Sequence, residues 1–424
     1  MKPETWNLKH ILVVGIVLVS LTACLPAIPT PPTPTPTSNA SPVPTVTLIQ
    51  SPTSTATPPA TATLTPLPTS TSTTTPAPSP LPTPVPATDA ILIRGPYLQS
   101  VTSSSIIVAW ETDRDSPGEV AYGVTGGYGS VVADPTVGTR HAVVLTGLAP
   151  RTFYHYRVQS GGAPLSTDAT FRTAAGLGQP FTFVVFGDTR TGHQIHQAVV
   201  DHIAAQQPDF VIHTGDLVAN GGSFSEWEAF FEIERDLMSR VPVFPMPGNH
   251  ELNSSYYFDL FHLPGNEHWY TFDYGDARFV CLQVDGIAPF DPQSEQYGWL
   301  EATLAANTQP WLFVAFHIPP YSSVQDVFED DVRQLTPLFE RYEVDVVFNG
   351  HKHNYERNEV NGITYVVTGG GGAPLYPLEE REPTQAAFAL AHHFVLLEIN
   401  GPHLKATVIS VDGTALDVFE RSAD

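Results

Sequence analysis

The sequence predicts a β-sandwich followed by an α/β domain, with an export segment and a long linker in front of them. Three observations predict this organisation. Short alternating strands separated by turn residues fill residues 89–175. Continuous apolar strands that alternate with helical patterns fill residues 180–424. Residues 25–88 hold 19 of the 41 prolines and no charged residue, a composition that cannot form a packed core.

The charge of the chain is strongly negative, with 19 Lys and Arg against 43 Asp and Glu and a formal net charge of −24. Residues 11–88 contain no charged side chain, so the negative charge lies almost entirely in residues 89–424. An acidic body repels phosphate backbones, which excludes nucleic-acid binding through a basic surface. A phosphate-bearing ligand would then need local cations, either metal ions or single basic side chains.

The first 24 residues have the pattern of an export signal. Lys2 and Lys9 precede the apolar run Ile11–Ala23, which is too short to cross a hydrocarbon core of ~30 Å. The tetrapeptide LTAC at residues 21–24 resembles a bacterial lipobox, which implies cleavage before Cys24 and lipid attachment to its sulfur. The alternatives are an ordinary signal peptide with an incidental cysteine and an uncleaved anchor. We expect an exported chain that is lipid-anchored to the outer face of the bacterial cytoplasmic membrane.

Residues 25–88 consist of Pro, Thr and Ser with scattered small apolar residues. Proline favours the extended polyproline II conformation, so this segment is predicted to be a disordered, semi-rigid spacer. At ~3.1 Å per residue it would reach up to ~200 Å, enough to hold a domain away from the membrane and to associate with a cell wall. O-glycosylation of the linker is an open alternative.

Within residues 89–175, the segment Leu148–Tyr154 carries a pattern that is specific for one kind of β-sandwich corner. A tyrosine at the start of a strand, after a Leu-x-Pro corner, is the arrangement in which the hydroxyl ties back to the preceding loop. This region resembles a fibronectin type III fold. It has no ionisable cluster, so we expect a packing module, with carbohydrate binding as the alternative.

Polar residues follow five of the apolar strands in residues 180–424. The pairs of strand and polar residue are Phe181–Phe186 with Asp188, Phe210–His213 with Asp216, Val241–Met246 with Asn249 and His250, Trp311–Phe316 with His317, and Val344–Phe348 with His351 and His353. Each pair alone is weak, because Gly-Asp is usually a turn and a lone histidine is usually structural. Ligands of α/β sheets bind beyond the carboxyl ends of the strands, so together these residues predict one metal site.

The residue types explain the chemistry. Carboxylates, an amide oxygen and imidazoles suit Fe, Zn, Mn or similar divalent or trivalent ions. One carboxylate, with Asp216 as the best candidate, can bridge two ions about 3.5 Å apart. Such a pair supplies hydroxide near neutral pH and clamps the oxygens of a displacement at phosphorus.

The ordered motifs GDTR (187–190), GDLV (215–218), GNHE (248–251), FHIPPY (316–321) and GHKHNYER (350–357) resemble the calcineurin-like metallophosphoesterases. With the preceding sandwich they are most similar to the purple acid phosphatase branch. The resemblance implies a four-layer α/β domain of two packed mixed sheets flanked by helices. It also implies a first metal ion on Asp188, Asp216 and His353, and a second on Asp216, Asn249, His317 and His351. His250 would contact the substrate phosphate or the leaving-group oxygen.

The chain departs from that pattern at three places. Purple acid phosphatases carry an iron-ligating tyrosine three residues after the second aspartate, where this chain has Ala219, so we expect a protein that is not purple. Most other members have a histidine two residues after the first aspartate, where this chain has Arg190. Two interpretations of Arg190 stay open, a contact with a phosphate oxygen and an ion pair with a nearby acidic residue. No histidine lies in Tyr321–Asp331, where purple acid phosphatases place a candidate leaving-group acid, so we expect His250 to be the proton donor if one is needed.

The leading functional hypothesis is hydrolysis of a small phosphate ester by a dinuclear metal centre on the outer face of a membrane. A phosphodiesterase or nucleotidase would use the same metals and differ in pocket shape. A non-catalytic surface protein, with the sandwich and linker serving adhesion, is the alternative from another class. The intact set of metal-binding residue types argues against it.

Overall fold

The structure is a computed structural model, and it describes residues 89–324 and 329–423. The predicted signal segment 1–24, the linker 25–88 and the predicted lipidation site Cys24 lie outside these residues. Within the described ranges, no helix has both the length and the apolar character needed to cross a bilayer.

The N-terminal part of the described chain is built only from strands. They are β1 (Leu92–Gln99), β2 (Ser105–Gly123), β3 (Ser130–Thr146), β4 (Phe153–Ser160), β5 (Ala163–Pro164) and β6 (Ala169–Arg172).

The long strand β2 organises this part. Over its first half β2 pairs with β1 and β3, and over its second half it pairs with β3 and β4. Register shifts in the pairing with β3, between Glu111 and Ser116 and between Pro117 and Glu119, mark irregularities in the middle of the strand. The predicted tyrosine tie is confirmed, because the Ala149 N–H donates to the Tyr154 hydroxyl at 2.9 Å.

The C-terminal part alternates strands and helices. Its strands are β7 (Phe181–Phe186), β8 (Phe210–His213), β9 (Val243–Pro245), β10 (Tyr270–Tyr274), β11 (Ala277–Cys281), β12 (Trp311–Ala315), β13 (Val346–Asn349), β14 (Tyr355–Val360), β15 (Ile363–Thr368), β16 (Gln385–Ala389), β17 (His393–Asn400), β18 (His403–Ser410) and β19 (Ala415–Ser422). Its helices are α1 (His193–Gln206), α2 (Phe224–Met238), α3 (Ser255–Leu260), α4 (Glu295–Ala305), α5 (Glu329–Val332) and α6 (Thr336–Arg341). Short 3₁₀ turns lie at Asn249–Glu251 and Arg333–Leu335.

These strands form two mixed sheets. The six-stranded sheet has the order β19-β18-β17-β7-β8-β9, and its strands β7, β8 and β9 are parallel. The seven-stranded sheet has the order β10-β11-β12-β13-β15-β14-β16, and β11, β12, β13 and β15 are parallel. The predicted fold class is therefore confirmed: a β domain followed by a two-sheet mixed α/β domain.

The alternation of side chains along the strands separates two cores. Phe279 and Phe313 of the seven-stranded sheet face Phe183 of the other sheet, with ring centroids 5.1 and 5.7 Å apart. The neighbouring residues Val280 and Val314 point the other way, into a second core. Helices α4 and α6 cover that core with Leu300, Leu304, Leu338 and Phe339. Because successive side chains of these strands enter two different apolar cores, the strands are continuously apolar in the sequence.

Two tyrosines of the N-terminal sheet bond to the α/β part. The Tyr97 hydroxyl donates to the carbonyl of Leu260 at 2.8 Å, and the Tyr156 hydroxyl donates to the carbonyl of Ser239 at 2.6 Å. Both tyrosine side chains are buried, so each hydroxyl finds its partner across the contact rather than in water.

Two buried histidines make the fold sensitive to acid. Burial lowers the pKa of His213 from 6.5 to about 3 and that of His393 from 6.5 to about 4. Below about pH 6.5 the unfolded chain therefore binds protons that the folded chain does not. Folding stability is unaffected by these groups above pH 6.5, and it falls as the pH drops from there toward about 4.

We predict that the free energy of unfolding of chelator-treated protein falls by about 1.4 kcal/mol per pH unit for each of these histidines between pH 6.5 and 4. His393→Gln is expected to lower stability at pH 7 but to reduce this slope. Urea unfolding at pH 7, 6 and 5 measures both effects. An unchanged slope in His393→Gln would contradict the assignment to His393.

Candidate metal centre

Three of the predicted site residues lie at tight turns directly after strands. Asp188, Asp216 and His351 follow β7, β8 and β13, and their φ values are 59°, 55° and 66°. Positive φ is uncommon in residues with a side chain and costs free energy unless the surroundings hold it. Here it turns the chain sharply at the end of each strand.

Two glycines make room for the two carboxylates. A Cβ atom on Gly248 would lie 2.3 Å from Asp216 Oδ1, and a Cβ atom on Gly350 would lie 2.5 Å from Asp188 Oδ2. Both distances are far below van der Waals contact, so any larger residue would displace the carboxylate. This close approach explains the glycine in the GNHE and GHKH motifs.

Glu251 braces the turn that carries Asp216. Its carboxylate accepts the N–H groups of Asp216 and Leu217 at 2.9 Å, of Val218 at 3.3 Å and of Gly248 at 2.6 Å. Burial and the Asp216 carboxylate raise the pKa of Glu251 above its usual range, and these N–H bonds oppose that shift. One fully buried side chain thus ties the β8 turn to the β9 turn.

Acceptor atoms converge on one side of Asp216. His317 Nδ1 is 2.9 Å from the carbonyl of Thr214, which can only accept, so Nδ1 carries the proton and Nε2 holds the lone pair of the neutral ring. Nε2 lies 3.1 Å from Asn249 Oδ1 and 3.3 Å from Asp216 Oδ1. His351 Nδ1 lies 3.1 Å from the same Asn249 oxygen. A carboxylate, an amide oxygen and imidazole nitrogens that face one another fit a bound cation.

Arg190 lies on the other side of Asp216. Its Nε donates to Asp216 Oδ2 at 3.0 Å, and its Nη2 lies 3.3 Å from His353 Nε2. His353 Nδ1 donates to the carbonyl of Pro374 at 2.6 Å, and its Nε2 lies 3.3 Å from both Arg190 Nη2 and Asp188 Oδ1. Of the two interpretations of Arg190, the structure contains the ion pair, and its acidic partner is Asp216.

Asp188 completes this side of the site. It is fully buried, and both of its oxygens lie within 3.1 Å of the His351 backbone nitrogen. Burial alone would raise the pKa of Asp188, but the hydrogen bond with His353, whose Nε2 lies 3.3 Å from Asp188 Oδ1, and the neighbouring His317 and His351 hold it at about 2. Asp188 is therefore a carboxylate over the whole neutral and mildly acidic range.

His250 is oriented by the residue that replaces the family's tyrosine. Its Nδ1 donates to the carbonyl of Ala219 at 2.8 Å, which turns Nε2 toward the site, 3.9 Å from Asp216 Oδ2. The side chain is 30% exposed, so a substrate can reach it. The backbone N–H of His250 donates to Asp216 Oδ1 at 3.0 Å.

All eight predicted site residues of the α/β part are joined by these contacts. Among the described residues, one potential ion-binding group emerges in which the ligand atoms of Asp188, Asp216 and His317 lie within 4.8 Å of one another. The division of the six donors between two ions and the catalytic roles of His250 and Arg190 stay predictions.

Sequence reasoning missed two residues of the site. Tyr376 stacks on the His353 ring, with centroids 4.0 Å apart and planes at 20°, and its N–H donates to the His353 carbonyl. It follows no strand, so no periodicity pointed to it. Glu251 is the last residue of the GNHE motif, and its place in that motif was the signal that the sequence offered. The structure shows that its side chain is fully buried.

Comparison with known families assigns both parts of the chain. Residues 181–355 match the family described as calcineurin-like phosphoesterase, and residues 95–173 match the purple acid phosphatase N-terminal domain. The chain thus combines a calcineurin-like phosphoesterase domain with a purple acid phosphatase N-terminal domain. A calcineurin-like phosphoesterase domain implies a dinuclear metal site, while iron, zinc or manganese as its ions stays a prediction.

Curated relatives of this metallophosphoesterase come from Arabidopsis thaliana. Purple acid phosphatase 15 is 29% identical over 56% of this chain and 54% of its own length, and purple acid phosphatase 23 is 30% identical over 56% and 63%. A third relative, 27% identical over 60% and 53%, carries the name "Probable inactive purple acid phosphatase 1". The chain thus spans little more than half the length of these relatives.

Solved structures share the fold of this metallophosphoesterase. A purple acid phosphatase from yellow lupin seeds aligns with a TM-score of 0.68 and 23% identity, covering 78% of this chain and 75% of that one. The structure of PhoD aligns with a TM-score of 0.64 and 14% identity, covering 80% and 92%.

We predict that Glu251→Gln weakens metal binding, because its amide group would face backbone N–H donors and displace the turn that carries Asp216. We expect a loss of about 10-fold or more in affinity and of about 1–3 kcal/mol in stability. Calorimetric titration of chelator-treated protein with Mn²⁺ measures the affinity.

Glu234→Gln is the matched control, because Glu234 is equally buried but bonds to His196 of α1. It should lower stability and leave the Mn²⁺ affinity unchanged. Equal affinities in Glu251→Gln and the unmodified chain would show that Glu251 does not position the site.

Proposed function

We propose that this metallophosphoesterase hydrolyses small phosphate esters, with the activity of an acid phosphatase or phosphomonoesterase. The observation that carries the proposal is the convergence of lone pairs from several strand ends on the buried carboxylate of Asp216. A metal ion held by such donors polarises a phosphoryl oxygen and supplies a nucleophile at neutral pH. Some relatives are named as inactive, so the activity needs a direct test.

The residues around the donors have distinct tasks. Asn249, His317 and His351 would hold the ion through their lone pairs, and Thr214 fixes the His317 ring through its carbonyl. Arg190 brings a permanent positive charge to a chain that is otherwise strongly acidic. This charge favours the developing negative charge on a phosphoryl group.

His250 is suited to proton transfer at the leaving group. The Ala219 carbonyl holds the Nδ1 proton, so Nε2 is the atom that faces a substrate. The protonated ring can donate from Nε2 to the leaving-group oxygen, and the neutral ring can accept a hydrogen bond there. The partial exposure of the side chain leaves room for the ester group.

The proposal includes a location outside the cell. Export and lipid attachment at Cys24, followed by the spacer of residues 25–88, would hold the enzyme on the outer face of the membrane. Support comes from the sequence pattern of the first 24 residues. In an expressing bacterium, Cys24→Ser should move the protein out of the detergent-soluble membrane fraction. A protein that fractionates unchanged would contradict the lipid anchor.

Two substitutions test the enzyme mechanism. Asp216→Ala should abolish hydrolysis and metal binding together, because it removes the buried carboxylate beside His317 Nε2. His250→Ala should keep the metal and slow turnover by roughly 10²–10⁴-fold, the size of a lost acid–base group. Steady-state hydrolysis of an aryl phosphate and elemental analysis of each variant measure the two effects.

Asp209→Ala is the matched control for Asp216→Ala. Asp209 precedes β8 whereas Asp216 follows it, and both side chains are 1% exposed. The control should lose stability and keep the metal. An unchanged rate in His250→Ala would remove that residue from the mechanism. A bis-ester that turns over faster than the monoester would identify a phosphodiesterase instead.

A further inference from the structure

We infer that the guanidinium of Arg190 takes the place of the first metal ion, so that this chain binds one ion, on the side of Asn249, His317 and His351. The inference rests on the proposed function only in requiring that a metal ion binds at all. It concerns which positive charge lies on each side of Asp216, a metal ion or the guanidinium of Arg190.

The contacts of Arg190 carry the inference. The resemblance assigned Asp188, Asp216 and His353 to the first ion, and Arg190 bonds to two of these three through Nε and Nη2. The only lone pair that neutral His353 can offer is on Nε2, because Nδ1 donates to the Pro374 carbonyl. Nε2 lies 3.3 Å from both Arg190 Nη2 and Asp188 Oδ1, and when its lone pair accepts from Arg190 it cannot also ligate a metal ion.

Charge and burial favour the guanidinium in this place. Arg190 is 15% exposed and its partner Asp216 is 1% exposed, so the pair is largely shielded from water. Arginine cannot lose its proton in a protein, so its charge is permanent. An ion inserted beside it would meet like charge in a region of low dielectric constant, which opposes binding.

The donors that family members add at the first ion have other identities in this chain. The tyrosine position holds Ala219, whose carbonyl accepts the proton of His250 Nδ1. The position of the usual histidine is Arg190 itself. Asp188 is the remaining carboxylate that the resemblance assigns to the first ion, and its oxygens accept from the His351 backbone N–H. Relative to either pattern, one donor is lost and one cation is gained at the same point, which is consistent with a replacement.

The replacement has a chemical consequence. A guanidinium supplies positive charge and two parallel N–H groups that suit phosphoryl oxygens, but it has no acceptor atom and cannot generate a nucleophile. The positive charges on the two sides of Asp216 would therefore have different chemistry. One side would hold the ion, and the other would be a permanent cation that cannot be removed by a chelator.

Metal stoichiometry tests the inference. Chelator-treated protein is loaded with excess Mn²⁺, desalted and analysed for manganese per chain. We expect one ion per chain in the unmodified protein and in Arg190→Lys, which keeps the charge. We expect two in Arg190→His, which removes the guanidinium and adds a donor. Electron paramagnetic resonance should report isolated Mn²⁺ in the first two proteins and a coupled pair in Arg190→His.

Arg357→Ala is the control, because Arg357 is similarly shielded at 16% exposure and bonds to a carboxylate, Asp417, at 2.8 Å. It should bind one ion. Two ions per unmodified chain, or a coupled spectrum from it, would overturn the inference while leaving the proposed function in place. No bound ion in the unmodified chain would contradict the proposed function itself. The count in the unmodified chain decides the matter even where Arg190→His fails to fold.

Discussion

The site depends on a carboxylate that is buried and yet approached from two sides. Asp216 is 1% exposed, and without compensating positive charge its burial would be costly. One oxygen faces the His317 imidazole and the backbone N–H of His250, and the other faces Arg190. The turn at positive φ, the glycine at 248 and the brace from Glu251 all serve to hold this one group in position.

Much of the site followed from the sequence because parallel strands place their carboxyl ends together. Asp188, Asp216 and His317 were visible as polar residues after apolar runs, and β7 and β8 of one sheet and β12 of the other bring them together. The partner of Arg190 was not predictable, because a phosphate and a carboxylate satisfy a guanidinium equally well. That choice depends on the distance between two turns, which no local pattern encodes. Tyr376 was not predicted either, because its stacking on His353 depends on a spatial contact that no local pattern encodes.

The N-terminal sheet contains one feature that a short sequence segment predicts and one that it does not. Tyr154 and its loop lie five residues apart, so the signal was contained in one short segment. The polar stretch around Asp113 has the composition of a turn between short strands, but β2 continues through it from Ser105 to Gly123. Pairing with β3 on both sides of the stretch holds the strand together, and this long-range pairing leaves no mark in the local composition.

Glu251 has a consequence for how such a centre can change over time. Its carboxylate holds the β8 turn through main-chain groups of residues 216–218, which every amino acid except proline provides. Side chains just beyond that turn, as at Ala219, can therefore be exchanged without loosening the scaffold. A donor atom could be lost or gained at position 219 while Glu251 keeps the β8 and β9 turns joined.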